Sequence, residues 1–275
     1  MFGRLQVKTP EQLRAMRRAG LVVGETLEVL RAAVRPGVTP RELDALAEST
    51  IRAQGATPSF LGYHGFPASI CASVNDAVVH GIPDDTPLVE GDVISLDCGA
   101  IVPDDAGRGW HGDAAISLPV GAVAEEVTEL MRVTEESMWA GIAAARIGGR
   151  VSDIGHAVES FVRAQPGGAR YGILEDYFGH GIGTEMHMDP DVPNYGRPGR
   201  GPRLQRGIAL CCEPMVTLGT KQTHELDDDW TVKTDDGSWA AHFEHTFALT
   251  EDGVWVLTAL DGGRSRLAVS YGGED

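Results

Sequence analysis

"GDVISLD", residues 91–97, predicts a buried strand that ends on a carboxylate. A Gly-Asp turn precedes apolar residues of the kind that strands favour, and Asp97 follows them directly. The segment 103–109, "PDDAGRG", is typical of a turn, and 110–120, "WHGDAAISLPV", is typical of a returning strand. Together these segments predict a hairpin that carries a second carboxylate, Asp113, on its returning strand.

The second half of the chain repeats this arrangement. "GIALCCE", residues 207–213, aligns with "GDVISLD": each has a glycine, five residues and then a carboxylate, here Glu213. Glu244 lies on a strand-like segment further on, as Asp113 does in the first half. Chance similarity is the alternative explanation, but the carboxylates stand at matching points. The repeat therefore favours one domain built from two pseudo-symmetric halves.

Helices are predicted outside the strand segments. Apolar residues recur at helical spacing over 9–34, 39–51, 123–147 and 152–164. Thr9 with Gln12, and Thr39 with Glu42, form the pattern of a capping box, and a proline follows each threonine. Helices together with paired strands predict the α+β class.

Charge and length restrict the class of protein. The chain has 275 residues, 40 of them acidic and 23 basic, which gives a formal net charge of −17. Contact with phosphates needs clustered lysine and arginine, so the composition argues against a broad nucleic-acid-binding surface. No linker rich in proline, glycine or serine divides the chain, which favours a single domain.

The cysteines and the chain start predict a cytoplasmic protein. The four cysteines form no C-x-x-C pair, and we expect reduced, mostly buried thiols at Cys71, Cys98, Cys211 and Cys212. The N-terminus has no apolar segment of a signal peptide, and no apolar run approaches the ~20 residues of a membrane span. We therefore expect neither secretion nor membrane insertion.

Four carboxylates are predicted to lie on or directly after buried strands: Asp97, Asp113, Glu213 and Glu244. A buried carboxylate must be paired, hydrogen-bonded or bound to metal, and for one alone a structural salt bridge is the usual explanation. The basic residues near them in sequence, Arg108, Arg206 and Lys233, are expected to be exposed. Converging carboxylates would repel one another unless cations neutralise them, so the pattern indicates a site for divalent metals.

Histidines provide further candidate ligands. "GHGIGTEMHMDP", 179–190, contains His180 between glycines and His187 seven residues later, and His80 follows an apolar run. His180 alone would more often be a core histidine, but its place between two glycines suits a ligand on a bare backbone. Carboxylates combined with imidazole suit manganese, iron or cobalt.

The ordered motifs "SVNDAVVHGIP", "DCG…WHGDAAIS", "GHGIGTEMHMDP", "CCEPMV" and "WTVKTDDGSWAAHFEHT" resemble those of the type I methionine aminopeptidases. These enzymes belong to the pita-bread metallohydrolase superfamily, and the resemblance extends from about residue 9 to about residue 260. It implies a pita-bread fold, with two pseudo-symmetric halves and a curved, mainly antiparallel sheet covered by helices. It also implies one catalytic domain over 1–275, with short tails at about 1–8 and 262–275.

The resemblance assigns roles to individual residues. It implies that the ligands of two divalent ions (cobalt, manganese or iron) are Asp97, Asp113, His180, Glu213 and Glu244. It implies that His80, His187 and Glu213 are catalytic. The implied substrate-binding residues are Phe60, Tyr63, His64, Phe66, Cys71, His80, Met186, His187 and Trp230.

The implied reaction is removal of the initiator methionine from nascent polypeptides whose second residue is small. The resemblance also implies a monomer, and transient association with ribosomes is a further expectation, with no DNA or membrane partner. Two alternatives stay open at this point. One is a proline-specific aminopeptidase, which shares the ligand layout, and the other is a non-catalytic pita-bread protein that only binds.

The sequence departs from the family pattern at a few positions. The segment between Asp97 and Asp113 is about five residues longer than usual, which we expect 103–109 to accommodate as a hairpin extension. Phe60 and Met186 replace residues that are often cysteine and phenylalanine. His242 stands where glutamine is common, and for the histidines flanking Glu244, His242 and His245, we expect packing or supporting roles. These departures affect the expected pocket shape and rate.

Overall fold

The computed structural model describes residues 5–274, so residues 1–4 and 275 of the predicted tails lie outside the described residues. The helices are α1 (Pro10–Ala33), α2 (Pro40–Ala53), α3 (Glu125–Ala144), α4 (Val151–Ala164) and α5 (Arg264–Leu267). Short 3₁₀ turns occur at Tyr63–Gly65, Gly168–Arg170 and Ala268–Ser270.

Fifteen strands are described in residues 5–274, five between α2 and α3 and ten between α4 and α5. In the first half they are β1 (Thr57–Pro58), β2 (Ile70–Val74), β3 (Ala77–Val79), β4 (Val93–Pro103) and β5 (Gly109–Pro119). In the second half they are β6 (Gly172–Ile173), β7 (Gly179–Gly181), β8 (Met188–Val192), β9 (Ala209–Cys212), β10 (Met215–Thr217), β11 (Thr223–Glu225), β12 (Val232–Thr234), β13 (Ala240–His242), β14 (Glu244–Leu249) and β15 (Val254–Val256).

The main sheet has nine strands in the order β1-β4-β5-β14-β9-β7-β8, with β2 paired to β4 and β15 paired to β14. Every pairing in it is antiparallel, as in the smaller sheets β13-β10-β6 and β11-β12-β3. The predicted hairpin β4–β5 and the pair β9–β14 join where β5 pairs with β14. The two halves predicted from the repeat therefore meet in the middle of one sheet.

Local sequence signals account for the helix starts. Both predicted capping boxes are present: Thr9 accepts from the Gln12 backbone N–H, and Thr39 accepts from that of Glu42. Helix α3 is shorter at both ends than the predicted 123–147, because Ala124 is its N-cap and Ala145 already has an extended backbone. The helices cover the main sheet, with α1 packed on β4 and β5 and with α3 packed on α4.

The structure also describes the turn of the predicted hairpin, the cysteines and part of the C-terminal segment. The turn between β4 and β5 occupies 104–108, inside the predicted segment. All four cysteines are buried and free of disulfides. Residues 264–270 of the predicted C-terminal tail form α5 and a 3₁₀ turn. Among residues 5–274, no helix is long and apolar enough to cross a membrane.

Candidate metal centre

The sheet brings the four predicted carboxylates together from adjacent strands. Asp97 and Glu244 both lie opposite Ala115 of β5, one from each side, in β4 and β14. Asp113 lies two residues before Ala115 on β5 and therefore faces the same side of the sheet. Glu213 follows β9 directly, next to β14. A carboxylate from each of four neighbouring strand segments thus projects into one place.

The potential ligand atoms lie close enough together to bind shared metal ions. Those of Asp97, Asp113 and Glu244 are all within 4.8 Å of one another, and Glu244 also joins a group with His180. The His180 Nε2 is 3.5 Å from the Glu213 Oε1. All five ligands implied by the sequence resemblance therefore converge.

Two further residues lie at the same place. His242 forms a group with Glu213 and Glu244, and its Nε2 is 3.7 Å from the Glu213 Oε2. The Cys211 thiol lies with His180 and Glu244. The sequence analysis gave neither residue a place among the ligands. Their positions in the sequence were the available signal, because His242 is two residues from Glu244 and Cys211 is two residues from Glu213.

Buried polar atoms without partners show that the residues fit a cation. Among the buried side-chain atoms of residues 5–274 that have no hydrogen-bond partner, four lie in this site: the Asp97 Oδ1, the Asp113 Oδ1, the Glu244 Oε1 and the His242 Nε2. An unpaired buried carboxylate oxygen is costly, and three of them together are costlier. Oxygen and imidazole donors of this kind are what first-row divalent metals bind.

Burial and mutual repulsion shift the pKa values in the site. Burial raises the pKa of Asp97 to about 6. Burial and then the neighbouring carboxylates raise the pKa values of Asp113, Glu213 and Glu244 well above the usual range. Burial lowers the pKa of His180 to about 3, so this imidazole is neutral and has a lone pair to offer. The protein alone does not stabilise four negative charges here, and a divalent cation would.

The basic residues near these carboxylates in sequence do not neutralise them. Arg206 is exposed and pairs with Glu251 at 2.7 Å. Lys233, predicted to be exposed, is instead half-buried and pairs with Asp76 at 3.0 Å. Arg108 lies exposed in the turn between β4 and β5. The salt-bridge explanation for these carboxylates therefore finds no support from these residues.

The glycines around His180 are required by the close approach of strands. A Cβ atom at Gly179 would lie 2.2 Å from the Cys211 carbonyl oxygen, and one at Gly181 would lie 2.2 Å from that of Asp189. Strand β7 is held between β8 and β9 in this way. The His180 Nδ1 is 2.9 Å from the Gly181 carbonyl oxygen and donates to it. The Nε2 is thereby left without a proton and faces Glu213.

His80 and His187 line the same cavity. His80 follows β3 with a left-handed backbone (φ 58°), and its ring contacts the edges of Tyr177 and Trp230. Burial lowers the pKa of His80 to about 4. The His187 ring centroid is 4.3 Å from that of His180.

The cavity over the carboxylates has a volume of about 280 Å³. Its apolar part includes the predicted pocket residues Phe60, Tyr63, Phe66, Cys71, Met186 and Trp230. His64, also predicted there, is exposed and is not among the lining residues; it contacts the Tyr63 ring from outside. The sequence analysis missed Val79, Asp176, Tyr177, Phe178 and Met215, which also line it. The aromatic pair just before "GHGIG" was the available signal for two of them.

The second histidine flanking Glu244 and the long segment before Asp113 lie away from the ligands. His245 is on the opposite face of β14 from Glu244, where its Nδ1 is 2.8 Å from the Thr258 hydroxyl and its ring packs on Trp139. The long segment between Asp97 and Asp113 extends the hairpin, and the β4–β5 register is continuous through Gly99 opposite Asp113. The extension therefore leaves the carboxylates in register.

Comparisons with known proteins agree with this geometry. The family model for metallopeptidase family M24 matches residues 14–251. Methionine aminopeptidase 1 of Mycobacterium tuberculosis is 55% identical over 90% of this chain and 92% of that protein. Methionine aminopeptidase 1 of Bacillus subtilis is 46% identical over 91% of this chain and 98% of its own length.

Solved structures give the same result. A methionine aminopeptidase from Thermotoga maritima matches with a TM-score of 0.88 and 38% identity, over 93% of this chain and 100% of that one. A prolidase from Pyrococcus furiosus matches with a TM-score of 0.70 and 21% identity, over 92% of this chain and 65% of that one, which shows the fold alone. The pita-bread fold predicted from the sequence is confirmed.

Proposed function

The chain belongs to metallopeptidase family M24, and from this premise we propose that it is a methionine aminopeptidase. It removes an N-terminal methionine from peptides and nascent polypeptides whose second residue is small. The observation that carries the proposal is the convergence of five ligand side chains at the floor of a cavity with an apolar side pocket. The curated relatives at 46–55% identity carry this name.

The metal ligands in this proposal are Asp97, Asp113, His180, Glu213 and Glu244, which hold two divalent ions. Cobalt, manganese and iron all suit this set of oxygen and imidazole donors. When bound, the metals supply Lewis-acid activation of water and of the scissile carbonyl. The unpartnered oxygens of Asp97, Asp113 and Glu244 support the assignment.

Three residues act directly on the substrate in this proposal. Glu213, which lines the cavity, moves a proton from the attacking water toward the leaving amine. His187 donates a hydrogen bond to the carbonyl oxygen as negative charge develops there. His80 contacts the scissile nitrogen. Burial lowers the pKa values of both imidazoles, so they act as neutral hydrogen-bonding groups.

The methionine side chain is proposed to occupy the apolar part of the cavity. Phe60, Phe66, Cys71 and Met186 are buried and pack together there, with Trp230 against them. Polarisable sulfur and aromatic walls suit a thioether. The second residue of the substrate would lie near His80, between Tyr177 and Trp230, and this crowding favours small residues.

We further propose that 1–275 acts as one catalytic domain and as a monomer. Its substrates are nascent chains, so the proposed place of action is the cytoplasm, with transient association with ribosomes. The place of action and the ribosome association follow from the proposal that nascent chains are the substrates.

The test is hydrolysis of Met-Ala-Ser beside Ala-Pro-Ala after chelation and then addition of manganese or cobalt. Methionine release from the first peptide alone is expected, and it should require metal. Hydrolysis of the proline peptide alone would favour a proline-specific enzyme instead. If neither peptide is hydrolysed although metal is bound, the result would favour a protein that binds without catalysis.

A further inference from the structure

Tyr63 makes a hydrogen bond that the proposed reaction has not used. Its phenolic Oη is 2.9 Å from the His187 Nδ1, and the two ring centroids are 5.4 Å apart. Among residues 5–274, this is the hydrogen bond that the structure gives the phenol. Both residues line the cavity, where Tyr63 is half-buried and His187 is exposed.

The hydrogen-bonding capacity of the two groups gives this contact a direction. A neutral imidazole carries one ring proton, on Nδ1 or on Nε2, and a phenol has one proton to donate. If Nδ1 carried the imidazole proton, the phenolic proton would have no acceptor in the described chain. The pair is fully satisfied when the phenol donates and Nδ1 accepts.

We propose that Tyr63 is a positioning residue for His187: its hydroxyl donates to Nδ1 and holds the tautomer that carries its proton on Nε2. A donor N–H at Nε2 is what His187 needs to stabilise a developing oxyanion, so this step rests on the proposed function. The opposite tautomer would present a lone pair to that oxygen and repel it.

The loop that carries Tyr63 is built to hold the hydroxyl in place. The Tyr63 backbone N–H donates to the Phe60 carbonyl at 2.9 Å, and the Phe66 N–H donates to the Tyr63 carbonyl at 2.9 Å. Left-handed residues on both sides, Gly62 and His64, make this turn tight. The Tyr63 ring packs against the buried apolar cluster of the pocket. The ring position therefore does not depend on the hydroxyl.

The test replaces the hydroxyl alone, in Tyr63→Phe. The tautomer is read near neutral pH from ¹⁵N chemical shifts of labelled histidine, in the metal-free and the zinc-loaded protein, with His187→Gln to assign the signals. Wild type should show a protonated Nε2 and an unprotonated Nδ1. Tyr63→Phe should show a mixture of both tautomers.

Kinetic measurements separate a positioning role of Tyr63 from a role in substrate binding. For Met-Ala-Ser, kcat should fall about 10-fold in Tyr63→Phe while KM changes little, because the apolar ring contact is retained. The control is Tyr171→Phe, at a half-buried tyrosine outside the cavity, which should leave both readouts unchanged. The same His187 tautomer in wild type and Tyr63→Phe, or a protonated Nδ1 in wild type, would overturn the proposal. Inactive wild type would reject the proposed function, while the tautomer measurement still decides the hydrogen bond.

Discussion

At the scale of single residues, the face of the strand on which a side chain lies decides whether it reaches the metal site. Glu244 reaches the site from β14 and His242 reaches it from the end of β13, whereas His245, next to Glu244, turns to the opposite side of β14. The prediction for the two histidines was the same, although alternation along β14 separates His245 from Glu244. The carboxylates were predictable individually, because an acid at the end of an apolar run must have a partner.

Lys8 is a residue-scale feature that no motif indicated. Its side chain is only 5% exposed and donates to the Ile182 carbonyl, under the loop that carries His180 and His187. Burial lowers the pKa of Lys8 from 10.5 to about 8. Between these values the unfolded chain binds more protons than the folded one, so the Lys8 contribution to stability rises as pH rises.

We therefore expect the unfolding free energy of wild type, minus that of Lys8→Met, to increase between about pH 8 and about pH 10. The expected increase is on the order of 2 kcal/mol. Urea unfolding in the presence of chelator measures it, and taking the difference removes the titration of other groups. Lys221→Met, at an exposed lysine, is the control for loss of one lysine. An equal difference at both pH values would contradict the prediction.

At the scale of elements, strand β7 is the part of the site with the least room. It carries His180 between two neighbouring strands whose carbonyl oxygens occupy the space of any Cβ atom at Gly179 or Gly181. The bare backbone of "GHGIG" thus serves strand packing, and through it the position of one ligand.

Gly181→Ala should consequently destabilise the protein and weaken metal binding. Its Cβ would lie 2.2 Å from a backbone oxygen, so the strands must separate, at a cost of about 1–3 kcal/mol. Thermal unfolding and a manganese titration measure the two effects. Gly149→Ala is the control, because its Cβ would lie 3.1 Å from the nearest atoms and outside the site. Unchanged manganese affinity in Gly181→Ala would show that β7 tolerates the shift.

At the scale of the whole molecule, the metal site exists because two halves share one sheet. The capping boxes and the β4–β5 hairpin could be predicted because their signals are local in sequence. The pairing of β5 with β14 joins distant segments, and nothing in either segment specifies it alone. The same limit explains why Val79 and Met215 were missed as cavity walls, because their place depends on packing between segments.

We propose that carboxylates from both halves hold divalent metal for peptide hydrolysis. The most direct test is metal content per chain, by mass spectrometry after dialysis against manganese, in wild type and Glu213→Ala, together with methionine release. Glu251→Ala, at an exposed carboxylate paired with Arg206, is the control. Two ions in wild type, fewer in Glu213→Ala, and loss of turnover with an unchanged metal-free melting temperature are expected. Full turnover in Glu213→Ala, or turnover by wild type without any bound metal, would contradict the proposal that these carboxylates hold the metal required for hydrolysis.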